Sequence, residues 1–300
     1  RRHTRYSLQS RGLGDVYKRQ VLRMYAREAE FFNGLVDHVP VRVPAGHYGA
    51  VSDDGAEFVV VMEDLAGNRM LDQTEVMTDA DAERAIDTLA VWHANWWNRV
   101  EGMCESGVAV ALDDPIYPAM IPGLFDEGWA KLNASHHCVP PDPLQPVGPR
   151  FGASVAAMLA SLSQGPLTLL HGDFRTDNMM FDDDDQLILM DFQLISVGSA
   201  AYDLAYFIGS CLDVDADRER ALFDRWIAAL IANGVPDSDV AGLWEDYRTA
   251  AMFCLAYPVV ASRGMDLDVP REAALANAMM SRQARGAADL DWLGVLSALE

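Results

Sequence analysis

The sequence predicts an α+β fold in two parts, a small β-rich region followed by a large, mainly helical one. Three observations carry this. Two β-prone runs flank the turn residues Asp53, Asp54 and Gly55; a strand, loop, strand, turn, strand series runs from residue 167 to residue 193; and beyond Gly198 apolar residues recur at helical spacing almost to the end. Half of the 300 residues are hydrophobic, enough to bury a large core.

Residues 1–20 hold six Arg or Lys against Asp15 alone and show no sustained apolar period, in a chain whose net charge is −22. They are either foreign to the domain, since RGLGDVYKRQ resembles translated adapter sequence, or a disordered tail. Residues 21–66 follow as a compact region. A helix over 21–36 places Tyr25, Phe31, Phe32 and Leu35 on one face, with Glu28 and Glu30 along it. In the hairpin after it, the unbroken apolar run Phe58–Met62 is expected to be a buried strand.

Near residue 66 the pattern turns from sheet to helix, and residues 67–300 form the second region. Thr78 or Asp79 caps a long helix with Ile86, Leu89, Trp92, His93 and Trp96 as its apolar stripe; Trp92, Trp96 and Trp97 read as core, not as a ligand cage. Residues 101–150, rich in Pro, Gly and Asp, read as an irregular insertion with helical patches such as 123–133. A helix over 151–163 precedes the strand series, whose four aspartates 182–185 form a solvated hairpin tip. Helices are then expected over 201–212, 218–233, 240–261 and 271–299.

An acidic chain disfavours nucleic-acid or anionic-membrane partners, because phosphate backbones demand a basic face. Cys104, Cys138, Cys211 and Cys254 lie far apart without metal-ligand spacing, and the pair His136 and His137 beside Cys138 lacks further ligands, so the cysteines read as reduced thiols. No apolar run is long enough to span a membrane, and the expectation is a soluble cytoplasmic protein.

The informative stretch is 171–193. His171, Asp173 and Asn178 share one loop after an apolar strand, and Asp191 ends the next hairpin, so the turns bring these polar groups to one edge. Phosphoryl transfer needs such a set: an Asp that accepts a hydroxyl proton, and an Asn with a second Asp that hold Mg²⁺ against nucleotide phosphates. Asp191 is followed within about ten residues by the helix carrying Tyr202, Asp203 and Leu204, which leaves no room for the peptide platform of a protein kinase and points to a small-molecule acceptor. The acidic surface favours a cationic one.

The runs H-G-D-F-R-T-D-N and L-I-L-M-D-F-Q, with T-L-A-V-W-H-A-N-W-W, M-E-D-L and A-Y-D-L-A-Y-F, resemble the aminoglycoside phosphotransferase and choline kinase-like superfamily, especially its ecdysteroid kinase-like branch. The resemblance spans most of residues 21–210 and implies a two-lobed, protein-kinase-like fold with a small, incomplete β-rich N-lobe and a helical C-lobe. It further implies ATP, or GTP, with Mg²⁺ as cofactors. Asp173 would be the base, Asn178 and Asp191 the magnesium ligands, and His171 the residue that packs the loop. Asp203 would tether that loop, Arg175 would reach a phosphate or substrate anion, and Glu63, Asp64 and Leu65 would offer backbone groups to adenine. Glu28 would be the helix glutamate that pairs with a nucleotide-binding lysine.

That lysine is where the pattern breaks. Only Lys18 and Lys131 exist; Gly12, Gly14 and Lys18 imitate a glycine-rich motif without flanking strands, and Lys131 lies in the insertion. The expectation is that the N-terminal strands of the resembled fold are missing from this chain. The first functional reading is a small-molecule O-phosphotransferase that uses Mg·ATP, or GTP, to phosphorylate a hydroxyl. Its rivals are a binding protein of pseudokinase type, which the missing lysine favours and Asp173, Asn178 and Asp191 oppose, and a metal-dependent hydrolase, which explains neither Asn178 nor the hinge. Acceptor identity and oligomeric state leave no mark in the sequence.

Overall fold

A computed structural model of the chain describes residues 23–53, 57–71 and 77–300. The basic segment 1–20 with Gly12, Gly14 and Lys18, the turn residues Asp54 and Gly55, and the loop 72–76 lie outside the described residues.

The first helix, α1 (Met24–Glu30), runs on through a π turn over Phe31–Leu35 and packs on one face of an antiparallel pair, β1 (Gly46–Val51) and β2 (Phe58–Met62). Asn33 secures the packing by donating from Nδ2 to Gly49 O at 3.0 Å. The other face has no cover among the described residues: Tyr48, Val59 and Val61 are exposed there. The expectation of a buried β2 is therefore corrected. An apolar run is buried only where a layer lies on both faces, and among the described residues this sheet has one.

After a two-residue strand, β3 (Arg69–Met70), comes α2 (Asp79–Trp96). Thr78 caps it, its Oγ1 accepting from Asp81 N at 3.2 Å, and Asp79 and Asp81 meet the positive end of the helix dipole. Residues 101–150 are irregular only in part, with turns and loops over 101–109 and 135–141, which corrects a second expectation. They hold a short strand, β4 (Val110–Ala111), and a long helix, α3 (Ile116–Ala134), before α4 (Gly148–Leu162). Pro118 falls in the first turn of α3, where its missing N–H costs nothing, while Pro122 is tolerated inside the helix. Gly128 is needed because a Cβ there would meet Val259 O at 2.1 Å.

Two small sheets then build the site. Strands β6 (Met179–Phe181) and β7 (Leu187–Leu189) pair antiparallel with Met179 opposite Leu189, and β3 adds to β6. Strand β8 (Ser196–Gly198) sits between β4, parallel, and β5 (Thr168–Leu170), antiparallel. The hairpin tip is less free than the run of acids suggested: Asp185 pairs with Arg69 at 3.4 Å and Arg84 at 3.6 Å. Beyond it are α5 (Ala201–Cys211), α6 (Ala216–Ala232), α7 (Asp237–Val240), α8 (Leu243–Phe253), α9 (Ala256–Ser262), α10 (Pro270–Asp289) and α11 (Trp292–Leu299). The expected helices 240–261 and 271–299 are each broken, the second at Asp291, whose left-handed backbone (φ 49°) starts α11 and whose side chain caps Gly294 N. Trp92, Trp226 and Trp292 fill the helical core, with Trp97 also buried. Among the described residues no helix is long and apolar enough to cross a membrane, and the four cysteines are free thiols.

Candidate active site

The loop between β5 and β6 is held from beneath by Asp203, a fully buried carboxylate in the first turn of α5. Its Oδ2 accepts from His171 N at 2.7 Å and faces His93 Nε2 at 3.1 Å, and its Oδ1 accepts from Gly172 N at 2.9 Å. Gly172 is in the left-handed region (φ 80°), and a Cβ there would lie 1.9 Å from Leu194 O, so only glycine lets the loop pass this close to the chain after Asp191. His171 links the same two segments. Asp173 N donates to its Nδ1 at 3.3 Å, so Nε2 is the nitrogen that donates to Met190 O at 3.0 Å.

Asp173, its side chain only 14% exposed, is surrounded by donors. Asn178 Nδ2 reaches its Oδ2 at 2.8 Å and its backbone carbonyl at 2.8 Å; Arg175 Nε reaches Oδ2 at 3.2 Å; and the Tyr206 hydroxyl reaches Oδ1 at 3.0 Å. Arg175 also pairs with Asp177 at 3.0 Å, and the two carboxylates raise its pKa further above the ordinary arginine value despite burial. Asn178 O accepts from Met190 N, which sets the Asn178 end of β6 against the Asp191 end of β7.

Asp191 has a left-handed backbone (φ 63°), an uncommon state for a non-glycine residue. Among the described residues its Oδ1 accepts one bond, a long one from Gln193 N at 3.3 Å. Burial, then the charge of Asp173, pushes its carboxyl above the usual aspartate range. What holds this backbone is its neighbour Phe192: fully buried, it stacks on Phe31 with centroids 3.7 Å apart and lies beside Trp92 and His171.

Helix α1 is locked to the same segment, with Arg27 donating to Ile195 O at 3.0 Å and Gln193 Nε2 donating to Glu28 Oε2 at 2.9 Å. Burial, and then the charge of Asp191, raises the Glu28 carboxyl to about 7. So His171, Asp173, Arg175, Asn178, Asp191 and Glu28 converge. Among the described residues Glu28 pairs with Gln193, and Lys131 is elsewhere, donating to Arg263 O and Met265 O.

Glu63, Asp64 and Leu65 join the two lobes apart from that cluster. The Glu63 carboxylate pairs with Arg42 and accepts from Ala45 N at 3.1 Å, Asp64 Oδ1 caps Ala66 N at 3.0 Å, and Leu65 is buried. Glu63 N is already bonded to Ala45 O. Among the described residues no group of three or more His, Cys, Asp or Glu is placed to hold a metal, His136 and His137 included. Sequence reasoning missed Tyr206 and Gln193. A signal for Tyr206 was present: it lies three residues after Asp203, on the same face of α5.

Residues 4–244 match the phosphotransferase enzyme family. No curated protein matches the chain in sequence. Among solved structures, the GDP complex of wild-type aminoglycoside 2'-phosphotransferase-IIIa is similar with a TM-score of 0.56 at 17% identity, covering 87% of this chain and 83% of that one. The GDP and kanamycin complex of APH(2")-IIia gives 0.56 at 19% identity, with 89% and 84% covered. An ethanolamine kinase of Plasmodium vivax gives 0.52 at 12% identity, with 89% and 72% covered. The fold is therefore the two-lobed, protein-kinase-like α+β fold of these enzymes, as the sequence led one to expect.

Proposed function

This chain belongs to the phosphotransferase enzyme family, and on that premise we propose that it transfers the γ-phosphate of ATP to a hydroxyl of a small molecule. The convergence of Asp173, Asn178 and Asp191 carries the reading. Asp173 accepts the proton as the acceptor oxygen attacks the γ-phosphorus, and the bond from that phosphorus to ADP breaks. The Asn178 amide oxygen and the Asp191 carboxylate would hold Mg²⁺, which when bound neutralises phosphate charge. They fit it: an under-bonded carboxylate raised by burial and by a like charge gains from a cation, and two protein ligands leave positions for phosphate and water. Arg175, held beside Asp173 at 3.2 Å, would reach a phosphate or a substrate anion. The backbone groups of Glu63, Asp64 and Leu65, where the two lobes join, would take the edge of an adenine or guanine, with GTP as the competing donor. Strand β8 and helix α5 occupy the chain directly after Asp191, which supports a small acceptor such as an amino-sugar, a choline-like compound or a steroid alcohol, in a cytoplasmic setting.

The test is a thermal-shift titration with Mg·ATP and Mg·GTP beside Asp191→Asn, with phosphate transfer to kanamycin, choline and ethanolamine assayed in parallel. A ligand at about 100 times its Kd adds about 2.7 kcal/mol, at about 2–4 °C per kcal/mol for a domain of this size. A shift that vanishes in the variant supports the assignment; an equal shift in both removes Asp191 from the metal site. Binding without transfer would favour a second reading, a binding protein without turnover, which the pairing of Glu28 with Gln193 and the remote Lys131 support.

A further inference from the structure

We infer that Tyr206 is a positioning residue of the transfer site, holding the Asp173 carboxylate so that Oδ1 is the oxygen presented to the acceptor hydroxyl. The inference rests on the reading of Asp173 as the base.

A carboxylate oxygen accepts about two hydrogen bonds in its plane. Oδ2 of Asp173 already takes two, from Asn178 Nδ2 and Arg175 Nε. Among the described residues Oδ1 takes one, from the Tyr206 hydroxyl at 3.0 Å, and its second lone pair is the place for a substrate proton. Without Tyr206, both anchors would lie on one oxygen and the carboxylate could turn Oδ1 away.

Tyr206 is itself fixed. It is buried on α5, and its ring stacks on Tyr257 with centroids 4.3 Å apart and planes 29° apart. The Tyr257 hydroxyl, bonded to that of Tyr202, donates to Gly172 O at 3.5 Å, while Gly172 N donates to Asp203. One helix thus carries both the carboxylate that anchors the loop and the hydroxyl that aims the base. Burial, then the Asp173 charge, holds the Tyr206 phenol well above its usual range, so it remains a donor. The bond draws charge from Oδ1 and costs some basicity; what it supplies is orientation, and a misplacement of about 1 Å can cost about a hundredfold in rate.

In the proposed step the acceptor O–H proton moves to Asp173 Oδ1, the acceptor oxygen bonds to the γ-phosphorus, and ADP leaves with the electrons of the broken P–O bond. Water serves as the probe acceptor. Mg·ATP hydrolysis, followed by phosphate release, is compared for the native chain, Tyr206→Phe and Asp173→Asn, and the Tyr206→Phe protein is crystallised beside the native one. Phenylalanine keeps the ring and its stack on Tyr257. The expected result is a fall of about tenfold or more in kcat with the KM for ATP within about twofold, and an Asp173 carboxylate rotated from its native position. A side chain that only fills space would leave both unchanged. Tyr206→Phe turning over within about twofold of the native chain, while Asp173→Asn does not turn over, overturns the positioning role alone. Equal turnover by Asp173→Asn, or no turnover by the native chain, overturns the base reading and the inference with it. An unmoved Asp173 carboxylate in the Tyr206→Phe crystal overturns the positioning role whatever the kinetics show.

Discussion

Asp203 and Asp191 flank the same strand, β8, and their surroundings are opposite. Asp203 is wholly buried, has ordinary helical backbone, and faces three donors, two of them amides of the loop between β5 and β6. Asp191 is partly exposed, has a left-handed backbone, accepts one long bond among the described residues, and faces the like charges of Asp173 and Glu28, offset in part by Arg175 and His171. A buried carboxylate with every oxygen satisfied belongs to the fold. One with strained backbone and a like charge beside it would gain from a cation, which is what the proposed metal role of Asp191 requires.

The largest effect expected from this contrast is that of Asp203→Ala. It orphans the amides of His171 and Gly172 and the ring nitrogen of His93 in a site without water access, at a cost of about 3–5 kcal/mol. At about 2–4 °C per kcal/mol, scanning calorimetry should show Tm lowered by roughly 6–20 °C. A loss below about 1 kcal/mol would break the comparison from the structural side.

Glu28 sharpens it from the other side. With its carboxyl at about 7 in the folded chain against 4.5 ordinarily, the folded state holds the extra proton between those values. Stability from this group is therefore fully present below about 4.5 and is lost as pH rises through about 7. Glu28→Gln keeps an oxygen for the Gln193 amide and removes the titration. In metal-free protein, the Tm advantage of Glu28→Gln over the native chain should grow from pH 5 to pH 8, to at most about 3 kcal/mol. A difference independent of pH would show that neither burial nor Asp191 raises the Glu28 carboxyl in the folded chain.

How much of this was legible in the sequence follows from what kind of constraint each residue answers. His171, Asp173, Asn178 and Asp191 could be read because their chemistry fixes residue type and spacing together, and the folded chain does bring them to one edge. Thr78 could be read because a cap depends only on the next three residues. Burial of β2 could not, because an apolar run looks the same whether one face is covered or two, and the covering layer is distant in sequence. The helix α3 was hidden by Pro118, Pro122 and Gly123, residues that break a helix on average; Gly128 sits there because it lets α3 approach Val259. Tyr206 was hidden for another reason: a tyrosine at helical spacing looks like core, and only the approach of Asp173 from another element makes its hydroxyl significant.

The smallest expected change in stability is that of Asp191→Asn, and it is the most decisive. Asparagine tolerates left-handed backbone about as well as aspartate and keeps an oxygen for the Gln193 N–H, so neither the strain nor that bond changes. What disappears is a charge facing two other carboxylates. Tm should therefore stay level or rise, by less than about 1 kcal/mol in stability, in calorimetry without magnesium. In the same protein, Mg²⁺ with nucleotide should no longer raise Tm. A destabilisation approaching that of Asp203→Ala would make Asp191 a second structural carboxylate and remove the reason for placing a cation there. Stability held or improved with the magnesium response gone would mean that the fold tolerates an unfavourable charge at this position, and that a bound cation is what offsets it.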